Sequence, residues 1–95
     1  MLEQIKLSIR RFHAKLDNDI SSNIAACMLD LQRVGISKTK ANENSEDALI
    51  RKAAELYCKW QIDFNGKGEK FEQAYNKLRD SLSLCEDYTE EKADV

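Results

Sequence analysis

Proline is absent from this chain, and glycine occurs only at Gly35, Gly66 and Gly68. Each glycine falls where a helix should stop, because glycine readily takes the left-handed conformation that ends helices. No strand-like alternation, internal repeat or low-complexity segment accompanies them. The pattern predicts an all-helical chain. Cysteine is scarce too: Cys27, Cys58 and Cys85 lie far apart, with no C-x-x-C pair and no nearby histidines. An odd number of cysteines, each within an apolar helical pattern, reads as small buried residues of a reducing compartment, with neither disulfide nor metal.

Long apolar runs are also missing. The longest, "IAACML", is far too short to span a bilayer. The N-terminus carries charges throughout and no apolar signal-peptide core. The expectation is a soluble protein made in the cytoplasm, without a membrane partner. Catalytic signatures are lacking as well. His13 is the one histidine, and no serine, cysteine or carboxylate is placed beside it by sequence. There is no E-x-x-H, H-E-x-x-H, D-x-D-x-D-G or phosphate-binding glycine loop, and "NGKG" is only a turn with a lysine. The chain is expected not to be an enzyme and to need no cofactor.

What is present is one domain's worth of chain, 95 residues with a net charge of −2. That charge gives no general pull toward nucleic acid or anionic membrane. Its distribution is uneven: Lys6, Arg10, Arg11 and Lys15 face Glu3 alone near the start, while residues 86–95 hold five acids against Lys92.

Apolar spacing predicts a compact bundle of about four helices. The first spans about Leu2 to Phe12, with Leu2, Ile5, Ile9 and Phe12 on one face. The second spans about Asn18 to Val34 with Asp17 as N-cap. Ile20, Ile24, Cys27, Leu31 and Val34 line it, and Ile36 folds back over the stop at Gly35. A polar loop, "SKTKANENS", leads to a third helix capped by Ser45, with Glu46 and Asp47 in its first turn. Asp47–Arg51 and Glu55–Lys59 have the favourable acid-first spacing. The fourth, about Glu69 to Leu84, presents Phe71, Ala74, Tyr75, Leu78, Leu82 and Cys85. Residues 1–85 form the helical domain and 86–95 an acidic, flexible tail.

The third helix carries more apolar surface than one packing face needs. Leu49, Ala53, Leu56 and Trp60, with Ile50, Ala54, Tyr57 and Phe64, fill almost half its circumference. Packing on the second and fourth helices together accounts for that width. Part of it also suits a partner surface, since Trp60, Tyr57 and Phe64 are residue types that interfaces prefer. A DNA-reading helix fits poorly, because Glu46 and Asp47 at the start of the third helix would repel phosphate.

The second half, "DALIRKAAELYCKWQIDFNGKGEKFEQAYNKLRDSLSLCEDY", resembles the head–tail connector proteins of tailed bacteriophages, also described as phage DNA-packaging proteins in prophages. The ordered positions are Asp47, Leu49, Ile50, Leu56, Tyr57, Lys59, Phe64, Phe71, Ala74, Tyr75, Leu78, Leu82, Ser83, Leu84 and Tyr88. The first half fits more loosely, through a short helix, "LDNDI" and "DLQRVGIS". The resemblance implies an all-helical structural protein without cofactor or catalysis, at the head–tail junction of a virion assembled in the host cytoplasm. It implies a ring, commonly of about twelve subunits, under the portal protein. A tail-side protein would follow it, and DNA would pass through the channel. Leu49, Ile50, Leu56, Tyr57, Trp60, Phe64, Phe71, Tyr75, Leu78 and Leu82 are the candidate core and interface residues. Glu86, Asp87, Tyr88, Glu90 and Glu91 are the candidate docking residues of the tail. The alternative is a small helical regulator that binds DNA or a protein. Its basic reading face is what this sequence lacks, so no sequence-specific nucleic-acid partner is expected.

Overall fold

The computed structural model describes residues 1–10, 17–62 and 66–89. They form five helices in the order α1 (Leu2–Arg10), α2 (Asp17–Arg33), α3 (Ala48–Gln61), α4 (Gly68–Ser83) and α5 (Glu86–Thr89). Among the described residues there is no strand. The bundle is all-α, as the spacing of apolar residues indicates. His13, Phe12, Phe64, Glu90 and Glu91 lie outside the described residues.

Ile5 and Ile9, one turn apart on α1, are buried, and so are Ile20, Ile24, Cys27, Met28 and Leu31 on α2. The end of α2 follows from Gly35, which has φ +103°. Its N–H donates to the Gln32 carbonyl at 3.0 Å, and the Ile36 N–H donates to the Leu31 carbonyl at 3.0 Å. These two bonds are the paired closure of a left-handed helix end, and Ile36 folds into the core as expected. At the other end, Asp17 is already the first helical residue and not a cap preceding it.

The α2–α3 connection is polar yet anchored. Ala41 is buried, and its carbonyl accepts from Gln32 Nε2 at 2.9 Å. The Ser37 carbonyl accepts from the Lys40 and Ala41 amides at 3.0 and 2.8 Å. The cap of α3 is Asp47 and not Ser45. Asp47 Oδ1 accepts from the amides of Leu49 and Ile50 at 2.9 and 3.2 Å. Ser45 Oγ instead accepts from the Asp47 amide at 3.3 Å, one step back. The Asp47 carboxylate is taken up by the Leu49 and Ile50 amides and by the Tyr88 hydroxyl, and its ion pair among the described residues is with Lys40 at 3.9 Å in place of the expected Arg51. The second expected pair, Lys59 to Glu55, is formed at 2.9 Å.

Helix α3 is the centre of the bundle, packed against α1, α2 and α4. Its innermost residues, Ile50, Ala53, Ala54 and Cys58, have no solvent exposure. Two adjacent alanines let neighbouring helices approach closely on both sides. Ser8 of α1 donates to Glu55 at 3.0 Å, closing the third contact. In α4, Tyr75 and Leu82 are buried, Phe71 and Leu78 are half-buried, and Ala74 is exposed against expectation. Gly68 is not a helix stop: it opens α4 and is buried there.

The C-terminal end also differs from a tail that is free from Glu86 onward. Residues 86–89 form α5, and the Tyr88 carbonyl accepts from the Ser37 amide at 2.7 Å. Tyr88 is the reason, since its ring packs on the core and its hydroxyl finds Asp47. Cys85 sits half-buried in the turn between α4 and α5, where its carbonyl accepts from Tyr88 and Thr89.

Candidate assembly surface

Helix α3 delivers its aromatic residues to the seam with α4. Tyr57 stacks edge-on against Trp60 and Tyr75, with ring centroids 5.4 and 5.2 Å apart, and Trp60 lies 6.1 Å from Tyr75. Such edge-to-face pairs are favourable beyond their area alone. Tyr75 is fully enclosed, whereas Tyr57 and Trp60 are only half-buried. Leu56 and Leu78 are likewise partly covered beside the core. So even with α1, α2 and α4 in place, the apolar half of α3 is not completely hidden.

Nine of the ten apolar residues singled out from sequence, all but Phe64, lie among the described residues, and they divide. Ile50, Tyr75 and Leu82 are core. Leu56, Tyr57, Trp60 and Leu78 are partly buried against it, Phe71 is partly buried, and Leu49, at 44% exposure, is on the surface. Three apolar side chains outside that set are exposed as well: Leu7 at 73%, Leu29 at 66% and Leu84 at 87%. Their signal is legible, because Leu7 and Leu29 fall off the apolar stripes that Ile5–Ile9 and Ile20–Leu31 define. A leucine away from its helix's own stripe is a leucine without an internal partner.

Two polar centres tie the surface together, and neither was evident from spacing. In the first, Asp30 of α2 accepts from Tyr75 at 2.6 Å, from Arg79 at 3.4 Å, and from Arg33. Burial pushes the Asp30 carboxyl up, but these donors outweigh it and hold it below the usual carboxylate range. The Arg79 guanidinium also lies 5.8 Å from the Tyr75 ring centroid. The Cys27 thiol approaches the Tyr75 hydroxyl at 3.9 Å, and burial above all pushes that thiol up to about 12. Cys58 is pushed up to about 12 by the same cause. A buried thiol at that value stays protonated and unreactive near neutral pH.

The second centre is Asp47. Besides capping α3, its carboxylate accepts from the Tyr88 hydroxyl at 3.0 and 2.9 Å. Burial raises this carboxyl, yet Tyr88, the two cap amides and Lys40 prevail and lower it overall. The Lys40 ammonium stands 5.4 Å over the Tyr88 ring. Burial and the bond to Asp47 push the Tyr88 hydroxyl up to about 12. Of the expected docking residues, Glu86 and Asp87 are exposed and Tyr88 is turned inward.

Among the described residues, no group of three or more histidines, cysteines and carboxylates is placed to hold a metal ion. No helix there is long and apolar enough to cross a membrane. The polar side chains with long-range partners, Ser8, Glu55, Asp30, Tyr75, Arg79, Asp47 and Tyr88, tie one helix to another. The molecule is a small all-α packing subunit with apolar side chains left on several surfaces. It belongs to the phage connector protein family, whose model matches residues 1–89. That family is structural rather than catalytic and assembles with other phage head and tail proteins. No curated protein and no solved structure matches the chain.

Proposed function

We propose that this chain builds a closed ring of about twelve copies at the head–tail junction. The ring sits under the portal protein, receives a tail-side completion protein on its other face, and leaves a channel for DNA. The supporting observation is the incomplete cover of α3. Tyr57 and Trp60 stay only partly covered after three helices have packed on theirs, and Leu7, Leu29, Leu49 and Leu84 lie exposed. A ring needs heterologous contacts, two different patches on each subunit, so exposed apolar side chains on several helices suit it. Charge agrees with a conduit: about twelve copies at −2 sum to about −24, which does not grip a polyanion.

Electron micrographs of the concentrated protein, alone and with portal protein, provide the test. Rings, or portal-bound rings, are expected; a monomer that ignores portal at every concentration overturns the reading. The acidic segment after Thr89 is the proposed portal-docking element, through salt-sensitive attraction to a basic surface. Truncation after Thr89 is the clean experiment, because truncation after Cys85 would also remove Tyr88 from its seat. Loss of portal binding with unchanged helix content is expected, and unchanged binding rules the segment out. The regulator alternative is tested by titrating several defined duplexes near 0.15 M salt. Weak, sequence-independent binding at most is expected, whereas submicromolar, sequence-dependent affinity favours the regulator.

A further inference from the structure

Among the described residues, the hydrogen bonds that tie helix α5 to the α2–α3 loop and to the start of α3 run through one residue. None of its four residues is buried, and Glu86 and Asp87 are exposed. Tyr88 and Thr89 donate their amides to Cys85 within the local turn, at 3.0 and 3.2 Å. Beyond that turn, the hydrogen bonds of α5 among the described residues all run through Tyr88. Its carbonyl accepts from the buried Ser37, its hydroxyl donates to Asp47, and its ring lies under Lys40. The carboxylate it meets is the same one that caps α3.

We propose that α5 is a latch that opens as a unit about the Leu84–Cys85 turn while the bundle stays folded. Its opening loosens the α2–α3 loop at Ser37 and the start of α3 at Asp47 together. Segments open locally at the free energy of their own contacts, and α5 has few. The hinge is already solvated, with Leu84 at 87% exposure. When Tyr88 leaves, the Ser37 amide loses its acceptor at 2.7 Å. Asp47 loses the donor that fixes its carboxylate over the cap amides of Leu49 and Ile50. Whatever grips the chain around Tyr88 therefore changes a loop fifty residues earlier. This coupling is a property of the single subunit and stands apart from the ring reading.

Amide hydrogen exchange of the full chain, followed by NMR, tests it in the parent, Tyr88→Phe and Asp47→Ser. Tyr88→Phe keeps the ring and removes only the hydroxyl. Asp47→Ser keeps a capping oxygen but is too short to hold Tyr88. In Tyr88→Phe, exchange at Ser37, Tyr88 and Thr89 is expected to rise about threefold to tenfold, the worth of one net hydrogen bond. Leu49 and Ile50 rise less, and Leu31 and Cys58 hold their rates. In Asp47→Ser, Ser37 accelerates as well, although residue 47 is not its hydrogen-bond partner. A uniform rise at all amides shows one cooperative unit and overturns the latch. An unchanged Ser37 rate in Asp47→Ser overturns the coupling.

Discussion

The hydroxyl of Tyr75 donates to the carboxylate of Asp30 at 2.6 Å, joining α4 to α2 across the helix that lies between them. Both outer helices already pack on α3, so this bond fixes their relative rotation around it. Tyr75→Phe removes the bond and leaves the ring in place. The expected cost is about 1.5–3 kcal/mol, typical of a hydrogen bond to a charged group. Urea unfolding checks it, as a lower midpoint at unchanged slope. A change under about 0.5 kcal/mol would mean that Arg33 and Arg79 alone suffice for Asp30.

Asp47→Ala removes a helix cap and the acceptor of Tyr88 in one step. A loss of about 2 kcal/mol is expected, roughly half from each. Ser45→Ala, one step back from the cap, is expected to stay within about 0.5 kcal/mol. The same unfolding experiment measures both, and equal costs would return the cap to Ser45.

Stability should fall at both extremes of pH. The carboxyls of Asp30, Asp47 and Glu55 are lower in the folded state than their ordinary values. The unfolded chain therefore binds protons first as pH drops. Their contribution is complete above the ordinary carboxylate range and disappears as pH falls through the depressed folded values. Cys27 and Cys58 behave oppositely: burial raises them from 9.0 to about 12, so the unfolded chain ionises first. Their contribution is complete below pH 9 and shrinks as pH rises toward 12. Denaturant midpoints across pH 2–10 are expected to trace a plateau with two falling arms, and Cys58→Ala should flatten the alkaline arm.

Trp60→Ala separates core from surface. A fully enclosed tryptophan would cost on the order of 3–5 kcal/mol. Trp60 is half-buried, so about 1–3 kcal/mol is expected, accompanied by weaker self-association in light scattering. A full core penalty with unchanged association would remove Trp60 from any interface.

Helices α1 to α4 were legible because each has a dominant apolar stripe, Ile5–Ile9, Ile20–Leu31, Ile50–Cys58 and Tyr75–Leu82, at the spacing the sequence shows, whereas the four-residue α5 has none. Gly35 was legible because a left-handed helix end strongly favours glycine. Ser45 and Asp47 were confused because both are good caps two residues apart, and only tertiary contact chooses between them. Tyr88 supplies that contact from the far end of the chain. Asp30 was hidden for a similar reason. An acid on a helix looks solvated until Tyr75 and Arg79, some forty-five residues onward, are known to face it. Leu7 and Leu29 were readable as strays off a stripe, and a sequence read alone does not name what would cover them.

Ala53 and Ala54 at the waist of α3 bear on how such a subunit carries load. Both alanines are fully enclosed and carry only a methyl group, and a close-packed interior of this kind compresses little. The middle of the molecule is stiff, and compliance is left to its ends, where half-covered aromatics and a four-residue helix have room to yield. In the ring proposed above, a load would then deform the contacts between neighbouring molecules before the interior of any one of them.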